Sequence, residues 1–223
     1  MPGPTRQSPL EQRAPEVIGM LRAEYPEARV ALRFTNPLEC LVATMLSAQS
    51  TDKKINEVTE TLFVKYRTPE DYLRVPEDEL RSDLKPTGFF NQKTKSVRGA
   101  CRVIVERFGG TVPDSIAGLL ELPGVARKTA NIVLWNAYPE KAGRDADAGI
   151  AVDTHVGRLA QRLGFTTQKD PVKVERDLMA VVPKDDWYGF TYVLIEHGRA
   201  VCKAPTPRCE ECVVAHLCPS SRV

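Results

Sequence analysis

The chain has 223 residues, enough for one large domain or two small ones. Its hydrophobic residues (42%) and charged residues (27%) occur in the proportions of an ordinary globular protein, and its apolar runs are all shorter than the roughly 18 residues that cross a bilayer, which excludes a membrane-spanning class. A net charge of +2 is weak evidence for any partner.

The N-terminal residues 1–13 are polar and rich in proline, without the apolar core of a secretory signal. We predict that they form a disordered lead-in. A chain without such a signal is expected in the cytoplasm, where thiols stay reduced.

Helix starts are marked along the chain by a capping residue followed by proline. This pair occurs at Asn36-Pro37, Thr68-Pro69 and Asp170-Pro171. Glu39 adds to the first pair the acid of a capping box. Apolar residues recur at helical spacing in four stripes: Ile55, Val58, Leu62 and Phe63; Val97, Ala100, Cys101, Ile104 and Phe108; Val156, Leu159, Ala160 and Leu163; Val174, Leu178 and Val181. Since no alternating run predicts a strand, the sequence predicts an all-α protein with about ten helices.

Charge is unevenly distributed between two neighbouring segments. Residues 70–83 carry six acids, and residues 85–107 carry six bases against the single acid Glu106. A polarised surface of this kind could steer a polyanion towards one face. Solvated helix faces give the same pattern, so both interpretations stay open.

A tight turn between two apolar helices is the first candidate site. Residues 122–130 read LPGVARKTA, with Pro123 and Gly124 between a helix near Ile116 and another that begins about Arg127. Such a turn leaves backbone N–H groups unpaired at the start of the second helix, which suits a phosphate of a nucleic acid. The full run is typical of the helix–hairpin–helix motif of DNA-binding proteins, although Pro-Gly alone also occurs in plain interhelical turns.

Residues 151–155 (AVDTH) form the second candidate site. Asp153 and Thr154 stand directly before a helical stripe, where either side chain can cap the helix. Taken alone, the segment is simply a helix cap. Its occurrence downstream of the run that contains Lys128 raises the alternative that Asp153 and Lys128 form a catalytic pair.

Four of the six cysteines fall within 17 residues, with the spacing C-x6-C-x2-C-x5-C. Disulfides are not expected in a chain without a secretion signal. Four thiolates suit a structural zinc ion or a [4Fe–4S] cluster, and the residues alone leave both open. The other two cysteines, Cys40 and Cys101, lie on apolar helix faces and are predicted to be small core residues.

Together these runs resemble the endonuclease III family of base-excision DNA glycosylases. The resemblance extends over about residues 9–219 and rests on the hairpin with Lys128 at its end, on Val152-Asp153-Thr154-His155 and on the cysteine spacing. Residues 46–52 (LSAQSTD) and 88–91 (GFFN) match as well. In this family the cysteines hold a [4Fe–4S] cluster, so the resemblance implies that cofactor on Cys202, Cys209, Cys212 and Cys218.

The resemblance implies two helical domains. Residues 35–138 are expected to form a six-helix domain that carries the hairpin. Residues 14–34 plus 150–223 are expected to form an iron–sulfur domain, with its N-terminal helix near residues 16–24. DNA would lie in the cleft between the domains, approached by Lys128 and Asp153 from opposite sides. Residues 139–149, with glycines and mixed charges, are expected to be a flexible loop between the domains.

The implied activity is that of a DNA glycosylase and AP lyase that removes oxidised pyrimidines. A deprotonated lysine can attack the sugar C1′, displace the base and leave a Schiff base, from which β-elimination breaks the strand. Lys128 is the candidate nucleophile, and Asp153 would stabilise positive charge on the sugar or pass protons. The expected partner is duplex DNA with damaged bases or abasic sites, bound by a monomer at the nucleoid.

The target base must leave the stack before C1′ becomes accessible. The resemblance implies that Gln49 and Phe89 fill the gap. Family members often have an aliphatic wedge in place of Phe89 and a second glycine in place of Ala126. The remaining predicted DNA contacts are Gly124, Ala126 and Arg127 in the hairpin, His155 beside Asp153, and Lys203 and Arg208 in the cysteine loop.

Three alternatives come from other functional classes. A monofunctional glycosylase, such as an adenine-mismatch enzyme, would release the base without a lysine nucleophile. A non-catalytic helix–hairpin–helix protein would bind DNA only. A zinc-bearing structural protein would use the cysteines without iron.

Overall fold

The computed structural model describes residues 3–223, which form α-helices and 3₁₀ helices joined by loops. No strand occurs within this range, so the predicted all-α class is confirmed. Met1 and Pro2, the first residues of the predicted lead-in, lie outside the described residues. None of the helices in residues 3–223 is both long and apolar enough to cross a bilayer.

Residues 3–223 contain twelve α-helices: α1 Leu10–Glu24, α2 Pro37–Leu46, α3 Asp52–Lys65, α4 Pro69–Arg74, α5 Glu77–Leu84, α6 Phe90–Phe108, α7 Ile116–Leu120, α8 Arg127–Ala137, α9 Pro139–Ala142, α10 Thr154–Arg162, α11 Pro171–Val181 and α12 Trp187–Ala200. Four 3₁₀ helices lie in the same range: Lys85–Thr87, Lys184–Asp186, Cys209–Glu211 and Ala215–Leu217. The number slightly exceeds the predicted ten. Helix α7 is the predicted helix near Ile116, whereas α9 is only 4 residues long, too short to show helical periodicity.

The predicted capping residues do begin helices. Asn36 accepts a hydrogen bond from the Glu39 amide at 3.0 Å. The Glu39 carboxylate does not close the predicted box on Asn36, because it accepts from the Thr35 amide (2.6 Å) one residue earlier. The complete reciprocal box occurs between Thr68 and Asp71. Each such cap stabilises its helix by about 1 kcal/mol.

The prediction of a disordered lead-in is wrong for residues 10–13, because these residues form the first turn of α1. Pro15 inside this helix removes one backbone hydrogen bond, which argues for a later start. Arg13 offsets that loss. Its side chain is buried and donates to the carbonyl oxygens of Leu163 and Leu217, each at 3.0 Å. The first turn of α1 is thereby tied to the segment that contains the cysteines.

Ala31–Ala148 is one of two compact units. Among the described residues it contains eight helices, α2 to α9, rather than the expected six, and it extends beyond residues 35 and 138 at both ends. Helix α2 packs on α8, and α6 packs on α4 and α5. The core between them includes Cys40 and Cys101, whose burial raises the pKa of each thiol to about 12, as suits inert packing residues.

Residues 139–149 are not a flexible loop. Helix α9 occupies the first part, and Ala142 and Ala148 are buried in the core of this unit. The Asp145 carboxylate accepts from the Ile116 amide at 2.8 Å and so anchors the segment to the start of α7. The glycines and mixed charges of this segment predicted mobility, but two of its three alanines, Ala142 and Ala148, are buried.

The second unit combines the described residues up to Val30 with Gly149–Val223. Helix α12 packs on α1 and α10, and α10 packs on α11. Leu21, Leu159 and Leu194 are fully buried in this unit. The segment after α12 contains the four cysteines and contributes few apolar side chains to the interior.

The oppositely charged segments make local contacts. In the acidic segment, Glu79 pairs at 2.8 Å with Lys65, a base outside the basic segment. Lys93 is only 6% exposed and donates to the Thr87 carbonyl oxygen (2.7 Å), while Arg98 donates to three carbonyl oxygens at the end of α4. For these residues the contacts favour a structural role over steering of a distant polyanion.

Candidate active site

The predicted hairpin joins α7 to α8. The Val125 amide donates to the Leu122 carbonyl oxygen (3.0 Å) and closes the turn. Gly124 has φ +82°, a conformation that favours glycine, and a Cβ built on it would lie 2.7 Å from the Ser96 Cβ. Both the backbone and the available space therefore require glycine at this position.

Helix α8 begins without a side-chain cap, because the residue before it, Ala126, has no polar side chain. The helix start therefore offers its positive dipole end to an external anion instead of a capping carboxylate. Lys128 is the second residue of α8 and is half-buried. Its neighbour Arg127 donates to the Asp147 carbonyl oxygen at 2.9 Å. Lys128 thus stands in the first turn, beside the predicted phosphate site.

Gln49 and Phe89 have φ values of 54° and 47°, and within residues 3–223 they are the non-glycine residues with positive φ. This conformation costs an L-residue roughly 1–2 kcal/mol. The Thr87 carbonyl oxygen links their two loops, because it accepts from Ser50 Oγ and from Lys93 Nζ. Such strain is concentrated at functional sites, and both strained residues are predicted DNA contacts.

A groove of about 250 Å³ in the unit Ala31–Ala148 brings three predicted DNA contacts together. Phe89 borders it with 66% of its surface exposed. An exposed aromatic ring beside a groove gives a flat surface on which a nucleobase can stack. The lining residues are Met45, Ala48, Gln49, Phe89, Gln92, Lys93, Ser96 and Gly124.

Asp153 is the N-cap of α10, as the simpler interpretation predicts. Its Oδ1 accepts from the Val156 amide at 2.8 Å, and the residue is half-buried. Within residues 3–223, no donor contacts the second oxygen, Oδ2. One carboxylate oxygen is therefore held in place while the other can meet a substrate. The pairing of Asp153 with Lys128 stays a prediction.

His155 is connected to the cysteine segment through Arg158. Its Nδ1 lies 3.2 Å from a guanidinium nitrogen of Arg158, which also lies 3.1 Å from the Cys202 carbonyl oxygen. Burial lowers the pKa of His155, which favours the neutral ring. The predicted contact of His155 with DNA stays a prediction.

The four C-terminal cysteines, Cys202, Cys209, Cys212 and Cys218, line one cavity. A [4Fe–4S] cluster binds one thiolate at each iron atom, and four thiols around a single cavity fit that requirement. Burial raises the pKa of the Cys212 thiol to about 11, so a bound cation would be needed to hold it as a thiolate at neutral pH. In residues 3–223, no three His, Cys, Asp or Glu side chains converge on a point where one metal ion would bind.

Polar side chains contact two of the cysteine sulfurs. Arg162 donates to the Cys202 Sγ at 3.3 Å, and the His197 Nε2 lies 3.5 Å from the Cys212 Sγ. His197 is 1% exposed, and its Nδ1 lies 3.1 Å from the Tyr25 hydroxyl. Burial lowers the pKa of His197 to about 4.

Lys203 and Arg208 are both exposed but differ in their contacts. Arg208 pairs with Glu211 at 2.7 Å and also donates to the Ala200 carbonyl oxygen. Lys203 has no side-chain partner within residues 3–223. Lys203 is therefore open to a phosphate, whereas Arg208 is already engaged within the loop.

Relatives of the chain match almost its whole length. Residues 42–184 match the profile of the HhH-GPD superfamily base excision DNA repair proteins. Endonuclease III of Synechocystis sp. is 48% identical, with 95% of this chain and 94% of the relative covered. The Bacillus subtilis and Escherichia coli endonuclease III proteins are 47% and 37% identical, covering 87% and 91% of this chain and 86% and 93% of the relatives. The chain belongs to the endonuclease III family.

Two solved structures of endonuclease III share the fold. A non-covalent endonuclease III–DNA complex matches with a TM-score of 0.88 at 38% identity, covering 96% of this chain and 97% of the other. A trapped endonuclease III–DNA covalent intermediate matches with a TM-score of 0.89 at 38% identity, covering 96% and 98%. The predicted family is thereby confirmed. Endonuclease III proteins generally bind an iron–sulfur cluster.

Sequence reasoning did not predict the polar residues that face the cysteine sulfurs in this chain. His197 is one of three histidines and precedes Cys202 by five residues, which is the only signal it gives. A buried histidine on an apolar helix is usually a core residue with a satisfied ring. Arg162 and Tyr25 lie 40 and 177 residues before Cys202 in the chain, and no local motif connects them to it.

Proposed function

We propose that this member of the endonuclease III family is a bifunctional DNA glycosylase and AP lyase that removes oxidised pyrimidines from duplex DNA and nicks the strand. The proposal rests on the position of Lys128, which lies in the first turn of α8 directly after the hairpin. The chain that contains it matches endonuclease III over 95% of its length. A related structure is a trapped covalent intermediate with DNA, the kind of species that a lysine nucleophile forms.

Lys128 is the proposed nucleophile. Its neutral Nζ attacks C1′ of the damaged nucleotide, the bond from C1′ to the base breaks, and the base leaves with a proton. The sugar ring opens to give a Schiff base on Nζ. Loss of a proton from C2′ then breaks the bond to the 3′ phosphate, and water releases the lysine from the resulting aldehyde.

Asp153 is the proposed partner of Lys128 in base release. The Val156 amide fixes one oxygen of its carboxylate. The other oxygen is proposed to stabilise positive charge that develops on the sugar as the base leaves, or to pass protons. Because the α10 cap orients the carboxylate, the capping role supports the catalytic one.

Gln49 and Phe89 are the proposed occupants of the space that the extruded base leaves. Extrusion costs a few kcal/mol of lost stacking and pairing. The backbone at both residues already has its positive φ beside the groove before DNA arrives, so this part of the conformational cost is not incurred on binding. An aromatic ring at Phe89 would stack on the neighbouring base where an aliphatic residue would act as a wedge.

DNA affinity is proposed to arise from local groups. A cluster with four thiolates carries a charge of about −2, which offsets the chain's formal +2. The start of α8, with Gly124, Ala126 and Arg127, would bind one phosphate, and Lys203 would bind another.

Cys202, Cys209, Cys212 and Cys218 are the proposed ligands of a [4Fe–4S] cluster. When bound, the cluster supplies order to a loop whose buried apolar side chains are few, chiefly Val214 and Leu217. We infer that the enzyme acts as a monomer on chromosomal DNA at the cytoplasmic nucleoid.

The proposal is tested with purified protein on three duplexes: one with an oxidised pyrimidine, one with an abasic site and one undamaged. We expect base release and a nick on the first, a nick alone on the second and neither on the third. Base release from the first duplex with no nick on the second would indicate a monofunctional glycosylase. Binding without either product would indicate a non-catalytic DNA-binding protein.

A further inference from the structure

Three side chains form a continuous polar chain that ends at a proposed cluster ligand. The Tyr25 hydroxyl lies 3.1 Å from Nδ1 of His197, and Nε2 of the same ring lies 3.5 Å from the Cys212 Sγ. All three residues belong to one compact unit. The imidazole therefore bridges the residue that follows α1 and the cysteine loop.

The bridge allows one arrangement of hydrogens when Cys212 is a ligand. A metal-bound thiolate has no proton, so it can only accept a hydrogen bond. His197 must then carry its proton on Nε2 and point it at the sulfur. With the proton on Nε2, Nδ1 of a neutral ring is an acceptor, and the Tyr25 hydroxyl is the group that donates to it.

The surroundings hold the His197 ring in this position. The ring is 1% exposed, so water does not compete for either nitrogen. The Tyr25 ring packs edge-on against it, with centroids 5.7 Å apart and planes at 64°. His197 is thus a buried hydrogen-bond donor whose tautomer is selected by a second partner, Tyr25. Similar groups orient the ligands at other metal sites.

We infer that His197, oriented by Tyr25, donates a hydrogen bond to the Cys212 thiolate and thereby raises the reduction potential of the cluster and helps to retain it. The inference rests on the proposed [4Fe–4S] site. A hydrogen bond to a ligating sulfur withdraws negative charge, which stabilises the more negative, reduced form of a cluster.

His197 gives a cleaner test than the other donor to sulfur, Arg162. The Arg162 side chain also donates to the carbonyl oxygens of Cys202 and Lys203, so its removal would disturb the loop itself. The His197 side chain contacts only the Tyr25 hydroxyl and the sulfur through hydrogen bonds within residues 3–223. His197 is therefore a positioning residue whose replacement leaves the backbone bonds of the loop in place.

The test compares the full-length parent with His197→Leu, His197→Gln and Tyr25→Phe. Iron and acid-labile sulfide are measured first, and then the reduction potential by voltammetry and the rate of cluster loss in air by visible absorbance. We expect His197→Leu to have a more negative potential and roughly 10-fold faster cluster loss. The glutamine amide can donate from near the position of Nε2, so His197→Gln should restore most of both properties. Tyr25→Phe should shift them in the same direction as His197→Leu, but less.

The outcomes separate this inference from the proposed cofactor. A parent protein without iron and sulfide contradicts the cofactor and this inference together. A parent with the cluster, and equal potentials in His197→Leu and His197→Gln, overturns this inference alone, because packing would then explain the effect. If His197→Leu fails to fold, the other two variants decide. A reduction potential equal to that of the parent in both His197→Gln and Tyr25→Phe overturns the inference. A shifted potential in Tyr25→Phe, with a smaller shift in His197→Gln, supports it.

Discussion

Replacing Gly124 by alanine should destabilise the hairpin through two separate effects. The first is conformational, because φ +82° disfavours any residue with a Cβ by about 1 kcal/mol. The second is steric. The new methyl group would lie 2.7 Å from the Ser96 Cβ on α6, which cannot rotate away, and 3.2 Å from the flexible end of Met45. Overpacking of this kind costs about 1–3 kcal/mol.

The expected loss is therefore about 2–4 kcal/mol in the free energy of unfolding, measured by urea denaturation of the purified protein. Gly109→Ala is a matched control, since Gly109 has φ +60° but no atom within 4 Å of its built Cβ. It should lose only the conformational part, about 1 kcal/mol. Affinity for undamaged duplex should fall in Gly124→Ala and not in Gly109→Ala, because the hairpin is the proposed phosphate site.

A double-mutant cycle with Ser96→Gly isolates the clash. Removing the Ser96 side chain should recover the steric part of the Gly124→Ala loss, giving a coupling energy of about 1–3 kcal/mol. A Gly124→Ala protein as stable as the parent would rule out both effects. A loss equal to that of Gly109→Ala, with no coupling to Ser96→Gly, would rule out the clash.

Three further predictions concern single residues. Asp153→Asn should keep the hydrogen bond to the Val156 amide, and hence the helix. It should slow base release about 10²-fold or more, and slow nicking of a preformed abasic site less. Rates equal to those of the parent on both duplexes would show that Asp153 is only a helix cap. Lys203→Ala should reduce the slope of log affinity against log salt by about 1, measured on undamaged duplex, and an unchanged slope would remove Lys203 from the interface. Cys209→Ser should lose iron and the visible absorbance and should make the loop sensitive to protease; stoichiometric zinc without iron in anaerobically purified parent would contradict the cluster.

The helices could be predicted wherever local chemistry alone determines them. Asn36 and Thr68 begin helices because their side chains accept from amides three residues later, a contact within one turn. The start of α1 could not be predicted, because Pro15 argues against it and the compensating bonds of Arg13 go to carbonyl oxygens of Leu163 and Leu217, 150 and 204 residues away.

The same distinction applies to the candidate site. Gly124 and the four cysteines were predictable because each belongs to a short run with a defined spacing. The strain at Phe89 is not visible in its sequence, since glycine or asparagine is the usual sign of positive φ and phenylalanine is not. His197 and Tyr25 meet across 172 residues, so only the folded chain brings them together.

Lys128 is proposed to form a Schiff base with the sugar, and borohydride trapping detects that bond because it reduces the Schiff base to a stable adduct. Duplexes with an oxidised pyrimidine or an abasic site are incubated with the parent, Lys128→Ala and Lys128→Gln under borohydride, and the adducts are mapped by peptide mass spectrometry. Both variants should still bind DNA, since one charge is a small part of an interface with many phosphate contacts. We expect a covalent adduct on Lys128 in the parent and none in either variant. An adduct on another amine, or trapping that persists in Lys128→Ala, would contradict it.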